Sequence, residues 1–194
     1  MKVTRLEPGG YRRTPWKNGG GVTVDIADAY APGAEAGGWD GMVWRLGRTR
    51  IERPGPFSDL TGHDRILVVI GGRGLVLEVA DAPALDVREP LRPVRFRGED
   101  RIVSRLEAGP VEVLNLIADR SRAAIDLAVL TGPMQRRVAP GLHVIHALDG
   151  GATLTVDGGP ETLADRDSLR IESDDGFALN LVGGTVALAS IALR

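Results

Sequence analysis

Lys17, Asn18, Arg45, Ser58, Arg65 and Asn115 are the side chains of this sequence best suited to hold a small polar molecule. Three are cations that can grip carboxylates, the arginines through paired N–H donors. The two amides and the hydroxyl would orient a neutral or amidine-like end. Lys17 and Asn18 fall in Tyr11-Arg12-Arg13-Thr14-Pro15-Trp16-Lys17-Asn18-Gly19-Gly20-Gly21-Val22-Thr23, where three cations, two aromatics and an amide meet three consecutive glycines. A glycine run lets the backbone take positive φ and approach a neighbour closely, at an entropic cost. Pro15 holds the residue before it toward an extended conformation. Such a segment reads as an arm presenting Lys17, Asn18 and bare N–H groups to something small, or to the rest of the protein. A glycine-rich hairpin or bulge beneath a surface tryptophan has the same composition.

The other candidates sit in or beside apolar strands. Arg45 lies within Val43-Trp44-Arg45-Leu46-Gly47, on the face opposite Trp44 and Leu46, and a guanidinium there must be paired or line a cavity. Two prolines in Arg53-Pro54-Gly55-Pro56-Phe57-Ser58 fix a turn that delivers Phe57 and Ser58 to a sheet. Gly62-His63-Asp64-Arg65 introduces a central strand with an adjacent acid and base, and Asn115 stands between leucines in Val111-Glu112-Val113-Leu114-Asn115-Leu116. Each arginine has a plain alternative, a salt bridge with Asp25, Asp59 or Asp64. Asn115 has one too, service to a buried backbone group.

Catalytic patterns are missing. No Ser–His–Asp spacing, nucleophile elbow or acid/base carboxylate pair is visible, so binding is better supported than catalysis and no catalytic residue is assigned. A metal site built on a strand uses histidines one residue apart, because residues i and i+2 face the same way. The three histidines here are His63, His143 and His146. The last two are three apart, on opposite faces of a strand, and His63 is remote. Neither a metal nor another cofactor is expected.

The elements that must position these groups are strands. Glycine (26) and proline (12) punctuate short aliphatic runs, the spacing of an all-β sandwich or barrel. Strands are expected at residues 21–27, 42–51, 65–70, 74–79, 94–96, 111–117, 125–130, 143–148, 152–156, 168–171, 177–182 and 186–193. Ile66-Leu67-Val68-Val69-Ile70 is apolar on both faces, as a central strand should be. No segment keeps a helical period over three turns, so helix is a minor component. Residues 66–77 echo residues 144–154, each a strand, a glycine-containing turn and a strand. Repeated strand–glycine turn–strand units are the logic of a jelly roll. The expectation is a bicupin, two jelly-roll β-barrels at 1–120 and 121–194 packed as one compact unit, joined near Asp119–Ala124; chance similarity between two hairpins is the alternative.

Composition narrows the partners. A net charge of -2 with scattered basic residues gives no reason to expect nucleic acid or an anionic membrane. There are no cysteines, which excludes disulfides and thiol catalysis. The N-terminus lacks the apolar stretch of a secretory signal. Phe177 to Leu193, interrupted by Asn180 and Gly183-Gly184, reads as two strands joined by a turn. The cytoplasm is the expected location.

The same segments resemble the HutD/Ves family of bicupin proteins, associated with bacterial histidine utilisation. The resemblance rests on the Tyr11–Thr23 run, Trp44-Arg45-Leu46, Gly55-Pro56-Phe57-Ser58, Gly62-His63-Asp64-Arg65, Phe96-Arg97-Gly98, Gly109-Pro110-Val111 and Leu114-Asn115-Leu116. It covers most of the first two-thirds of the chain, with Pro15-Trp16-Lys17-Asn18-Gly19-Gly20-Gly21 the strongest part. The family resemblance implies a metal-free bicupin that senses a small anionic metabolite, formiminoglutamate or urocanate, to govern histidine breakdown. Carried over, its pocket comprises Lys17, Asn18, Arg45, Ser58, Arg65 and Asn115. The chain departs from the family at Val24-Asp25, where a basic–acidic pair is common, and at Val113, where an acid is usual. Two other readings stand beside it. One is a metal-independent cupin enzyme using Asp64 or His63 as proton carrier; the other is a structural or interaction role like that of stress-linked relatives. A homodimer through strand edges is also compatible with this architecture.

Overall fold

The computed structural model describes residues 1–15 and 21–194. Among these, the order is β1 (Lys2–Leu6), a 3-10 turn at Pro8–Gly10, β2 (Arg12–Pro15), β3 (Val22–Tyr30), β4 (Met42–Ile51), β5 (Gly55–Pro56) and β6 (His63–Gly71). There follow β7 (Leu75–Val79), β8 (Leu85–Val87), β9 (Val94–Arg97), β10 (Ile102–Leu106) and β11 (Val111–Asp119). The remainder comprises β12 (Ala123–Thr131), β13 (Met134–Val138), β14 (Gly141–Val156), β15 (Gly159–Leu163), β16 (Ser168–Ser173) and β17 (Phe177–Leu193). The chain is all-β, and no helix among the described residues is long and apolar enough to cross a membrane.

Two compact units emerge, residues 12–123 with Arg194, and residues 1–11 with 124–193. The expected division at 1–120 and 121–194 differs in the first eleven residues. Their β1 pairs antiparallel with β16, Lys2 opposite Glu172 through Leu6 opposite Ser168. Arg5 fastens that strand by ion pairs to Glu161 at 2.9 Å and Asp167 at 3.2 Å. Tyr11 adds its hydroxyl, which donates to the Arg166 carbonyl at 2.6 Å.

In the 12–123 unit, a six-stranded sheet of order β2-β3-β4-β11-β6-β9 accompanies a four-stranded sheet of order β5-β10-β7-β8. Leu67, Val69, Val111 and Val113 of the first sheet form one apolar cluster with Leu75, Leu77, Val87 and Ile102 of the second. Strand alternation explains this: residues two apart share a face, so each sheet gives one apolar face to the core. β6 is paired on both sides, by β11 and β9, as its double-sided apolar run foretold. The expected hairpin at 66–77 is not one. β6 and β7 belong to different sheets, and the 72–74 segment carries the chain across. Gly98 shows why glycine ends the Phe96-Arg97-Gly98 motif: a Cβ there would lie 2.0 Å from the Leu60 carbonyl oxygen.

The 124–193 unit forms a seven-stranded sheet with β1, ordered β1-β16-β14-β17-β12, β13 and β15 adding to β17 and β14. Two sequence expectations are corrected here. Gly141–Val156 is one 16-residue strand, and Phe177–Leu193 is one 17-residue strand. Asp149, Gly150 and Gly151 have positive φ (42°, 92° and 96°), and the β14–β17 register shifts there. The glycines therefore bulge a continuous strand, with no chain reversal.

Candidate functional site

Cross-strand register decides which candidates can meet, because directly opposed residues project from the same face. Across the six-stranded sheet one row runs Asp28, Arg45, Ile117, Arg65, Phe96. The adjoining row, two residues along the strands, runs Asp25, Gly47, Asn115, Leu67. Since Leu67 belongs to the core cluster, both rows lie on the core-facing side. Arg45, Arg65 and Asn115 thus share one inner face, drawn from three strands distant in sequence.

Arg65 is the anomaly in this face. It is 9% exposed, and no carboxylate among the described residues lies within ion-pairing distance. Its guanidinium carbon stands 4.9 Å from the ring centres of both Phe57 and Phe96. Those rings are 6.0 Å apart and tilted by 54°, forming an aromatic corner for the cation. Asn115 Oδ1 accepts a long hydrogen bond from Arg65 Nη2 at 3.5 Å, while Nε has no partner among the described residues. Desolvation pushes the guanidinium down to about 10. Cation–π contact offsets on the order of 2 kcal/mol per ring when desolvated, less than a buried charge loses by leaving water. Of the acids weighed as its partner, Asp64 is taken by Arg120 at 2.7 Å and Asp59 accepts from the Thr61 amide and hydroxyl. Among the described residues no anion meets this corner.

Arg45 behaves differently. It is 4% exposed, and its Nε lies 3.7 Å from Asp25 Oδ1, a Coulombic pair too long for a hydrogen bond. Its Nη2 donates to Tyr30 Oη at 2.9 Å and to the carbonyls of Gly37 (3.1 Å) and Gly38 (2.5 Å). Trp39 covers it at 4.5 Å. Asp25, 3% exposed, also accepts from Thr14 Oγ1 at 2.7 Å and Arg12 Nη2 at 3.1 Å, and Arg12 pairs with Asp28. Two cations and two carboxylates therefore balance in a latch between β2, β3, β4 and the 31–41 segment. Gly47 makes room for it: a Cβ would lie 2.8 Å from Thr23 Cγ2 and 3.3 Å from Asp25 Oδ1. For Arg45 the salt bridge with Asp25 is the observed answer.

The remaining candidates divide. Lys17 and Asn18 lie outside the described residues. Ser58 is exposed, on the segment after β5. Asp64 alternates with Arg65 and so faces the other way, in a surface network where Arg120 also bonds Glu99, holding that carboxyl down at about 2. His63 is half-buried with Nδ1 near the Leu60 and Thr61 carbonyls, at 3.2 and 3.3 Å. His143 and His146 bond Ser190 and Ser168 respectively, and among the described residues no three His, Cys, Asp or Glu side chains group as metal ligands. Sequence reasoning missed Phe57 and Phe96 as site residues. Their signal was available, since Phe96 follows an alternating Arg-Phe-Arg pattern and Phe57 closes a two-proline turn.

The HutD family model matches residues 9–189. The chain belongs to the HutD family. A relative from Pseudomonas putida, described as an uncharacterised 21.2 kDa protein in the hutC 3′ region, is 31% identical over 185 residues, covering 95% of this chain and 94% of that one. The solved structure of HutD from Pseudomonas fluorescens SBW25, in a formate condition, matches with a TM-score of 0.83 at 28% identity over the whole of both chains. At the level of fold alone, a cupin 2 conserved barrel domain protein from Leptotrichia buccalis matches with a TM-score of 0.55 at 10% identity, covering 90% of this chain and 89% of that one. The HutD chain is therefore cupin-like, and its Arg65 corner and Asp25 latch lie within the matched region.

Proposed function

We propose that this HutD-family protein binds a small carboxylate metabolite of histidine utilisation, formiminoglutamate or urocanate, and regulates that pathway as a cytoplasmic sensor. The observation that carries this reading is Arg65, a buried cation with an aromatic corner, an amide neighbour and no acid among the described residues. A carboxylate in the guanidinium plane would supply the missing charge through paired hydrogen bonds. Asn115 would orient it, Lys17, Asn18 and Ser58 would meet its other end, and Arg45 would hold the wall in place. The family match, and the P. putida relative beside hutC, support the pathway. Each unit is read as a cupin-type jelly roll, making the chain a bicupin.

Calorimetric titration with formiminoglutamate and urocanate, carried to millimolar concentration (about −4 kcal/mol of binding free energy), tests the reading. Heat with one of them, abolished in Arg65→Met, is the expected result. Silence with both overturns it. The enzymatic alternative is weaker, because Asp64 is ion-paired on the face opposite Arg65 and His63 points at backbone carbonyls.

A further inference from the structure

Arg65 is 9% exposed, and the two rings beside it are not equally fixed. Phe96 is 8% exposed, sits within β9 in direct register with Arg65, and belongs to the apolar cluster. Turning its ring would open that cluster. Phe57 is half-buried on the stretch between β5 and β6, outside any strand, tethered by its amide to the Ile102 carbonyl at 2.8 Å. It also lines an open cleft of about 510 Å³ with the apolar Val79, Ile102 and Val103 and the acids Asp59, Glu78, Glu99 and Asp100. Phe57 is thus the partition between that cleft and the guanidinium. A second cleft of about 400 Å³ borders Arg65 and Phe96, but Asp64, Ile66, Arg95 and Arg97 in its lining alternate with them and so belong to the opposite face of the β6–β9 pair. Swinging the Phe57 ring into the first cleft gives up its contacts to Arg65 and Phe96 and its packing against the apolar cluster, and leaves every strand ladder intact.

We propose that Phe57 is a gate: its ring closes the Arg65 corner in the empty protein, and turning that ring into the neighbouring cleft opens the corner. The gate rests on the reading of Arg65 as the ligand anchor, yet its motion is testable without any ligand. Phe57 is then a positioning residue, acting through access to Arg65.

The experiment is labelling of the full chain with p-hydroxyphenylglyoxal, which modifies arginine side chains, followed site by site by peptide mass spectrometry. Arg101, whose side chain is 80% exposed, reports the unhindered rate, and Arg45, 4% exposed, reports loosening of the whole unit. In the unsubstituted protein Arg65 should react at least about 100-fold more slowly than Arg101, as expected of a group reached only through a local opening. Phe57→Ala should raise the Arg65 rate on the order of tenfold or more, with Arg45 unchanged and Phe57→Leu intermediate. Should Phe57→Ala accelerate Arg45 as well, the unit has loosened, and Phe57→Leu decides by the same criterion. Rapid labelling of Arg65 in the unsubstituted protein, or no acceleration in either Phe57 variant, overturns the gate while leaving the calorimetric reading standing. Conversely, silent calorimetry with accelerated labelling removes the ligand and keeps the moving ring.

Discussion

Arg65 and Arg45 show how one residue type takes opposite roles two strands apart on one face. Arg45 has Asp25, Tyr30 and two carbonyls; Arg65 has rings and a distant amide. Replacing a buried charge by an apolar side chain of similar length is often stabilising. Arg65→Met should therefore stabilise the ligand-free protein by about 1–3 kcal/mol in urea unfolding, while abolishing carboxylate binding. The sign follows from the depressed pKa: the unfolded chain holds that proton more tightly, so the penalty is complete below about pH 10 and is relieved only above it. A loss of stability in that variant would mean that the cation is already neutralised. Asp25→Asn should do the reverse, costing about 3–5 kcal/mol because it strands Arg45. The exposed Asp86–Arg88 pair sets the contrast, since Asp86→Asn should leave the urea midpoint close to that of the parent.

At the scale of elements, the long strands of the 124–193 unit carry their own polar fastening. His143 in β14 donates from Nε2 to the Ala139 carbonyl (3.0 Å) and bonds Ser190 Oγ through Nδ1 (2.9 Å), with Phe177 edge-on at 5.5 Å. Burial lowers its pKa from the ordinary 6.5, against the carbonyl's opposing pull. The folded state thus binds this proton less well than the unfolded chain. The stability it secures is complete above pH 6.5 and is lost as pH falls through the lowered value. Urea midpoints measured from pH 7.5 to 5 should decline in the parent and decline less in His143→Gln; parallel slopes would assign the effect elsewhere. Strand-level reading of the sequence was sound where apolar runs are long, as at β4, β6 and β11. It failed at β10 and β13, whose exposed Arg105 and Arg136 dilute the apolar signal, and at β14 and β17, where paired glycines read as turns. A bulge and a turn use the same positive-φ residues; which one forms depends on whether a partner strand continues alongside.

For the whole molecule, ligand binding and stability are linked by mass action. A ligand at 100-fold over its Kd adds about 2.7 kcal/mol, which for a chain of this size raises Tm by about 5–10 °C. Thermal scans with formiminoglutamate or urocanate should show that rise in the parent and none in Arg65→Met. An equal rise in both would place the binding site elsewhere.

The sequence by itself determined the β class, the family and the pool of polar candidates, because residue alternation, glycine punctuation and a rare motif are local properties. It also supplied Asp25 as a possible mate for Arg45. Only the tertiary structure decided which arginine was matched and which was left with aromatic rings. Ion pairing across a sheet depends on register, and register is set by strands that lie dozens of residues apart. The same holds for the first eleven residues, whose hydrogen-bonding partner, β16, lies far along the chain and could be found only by folding.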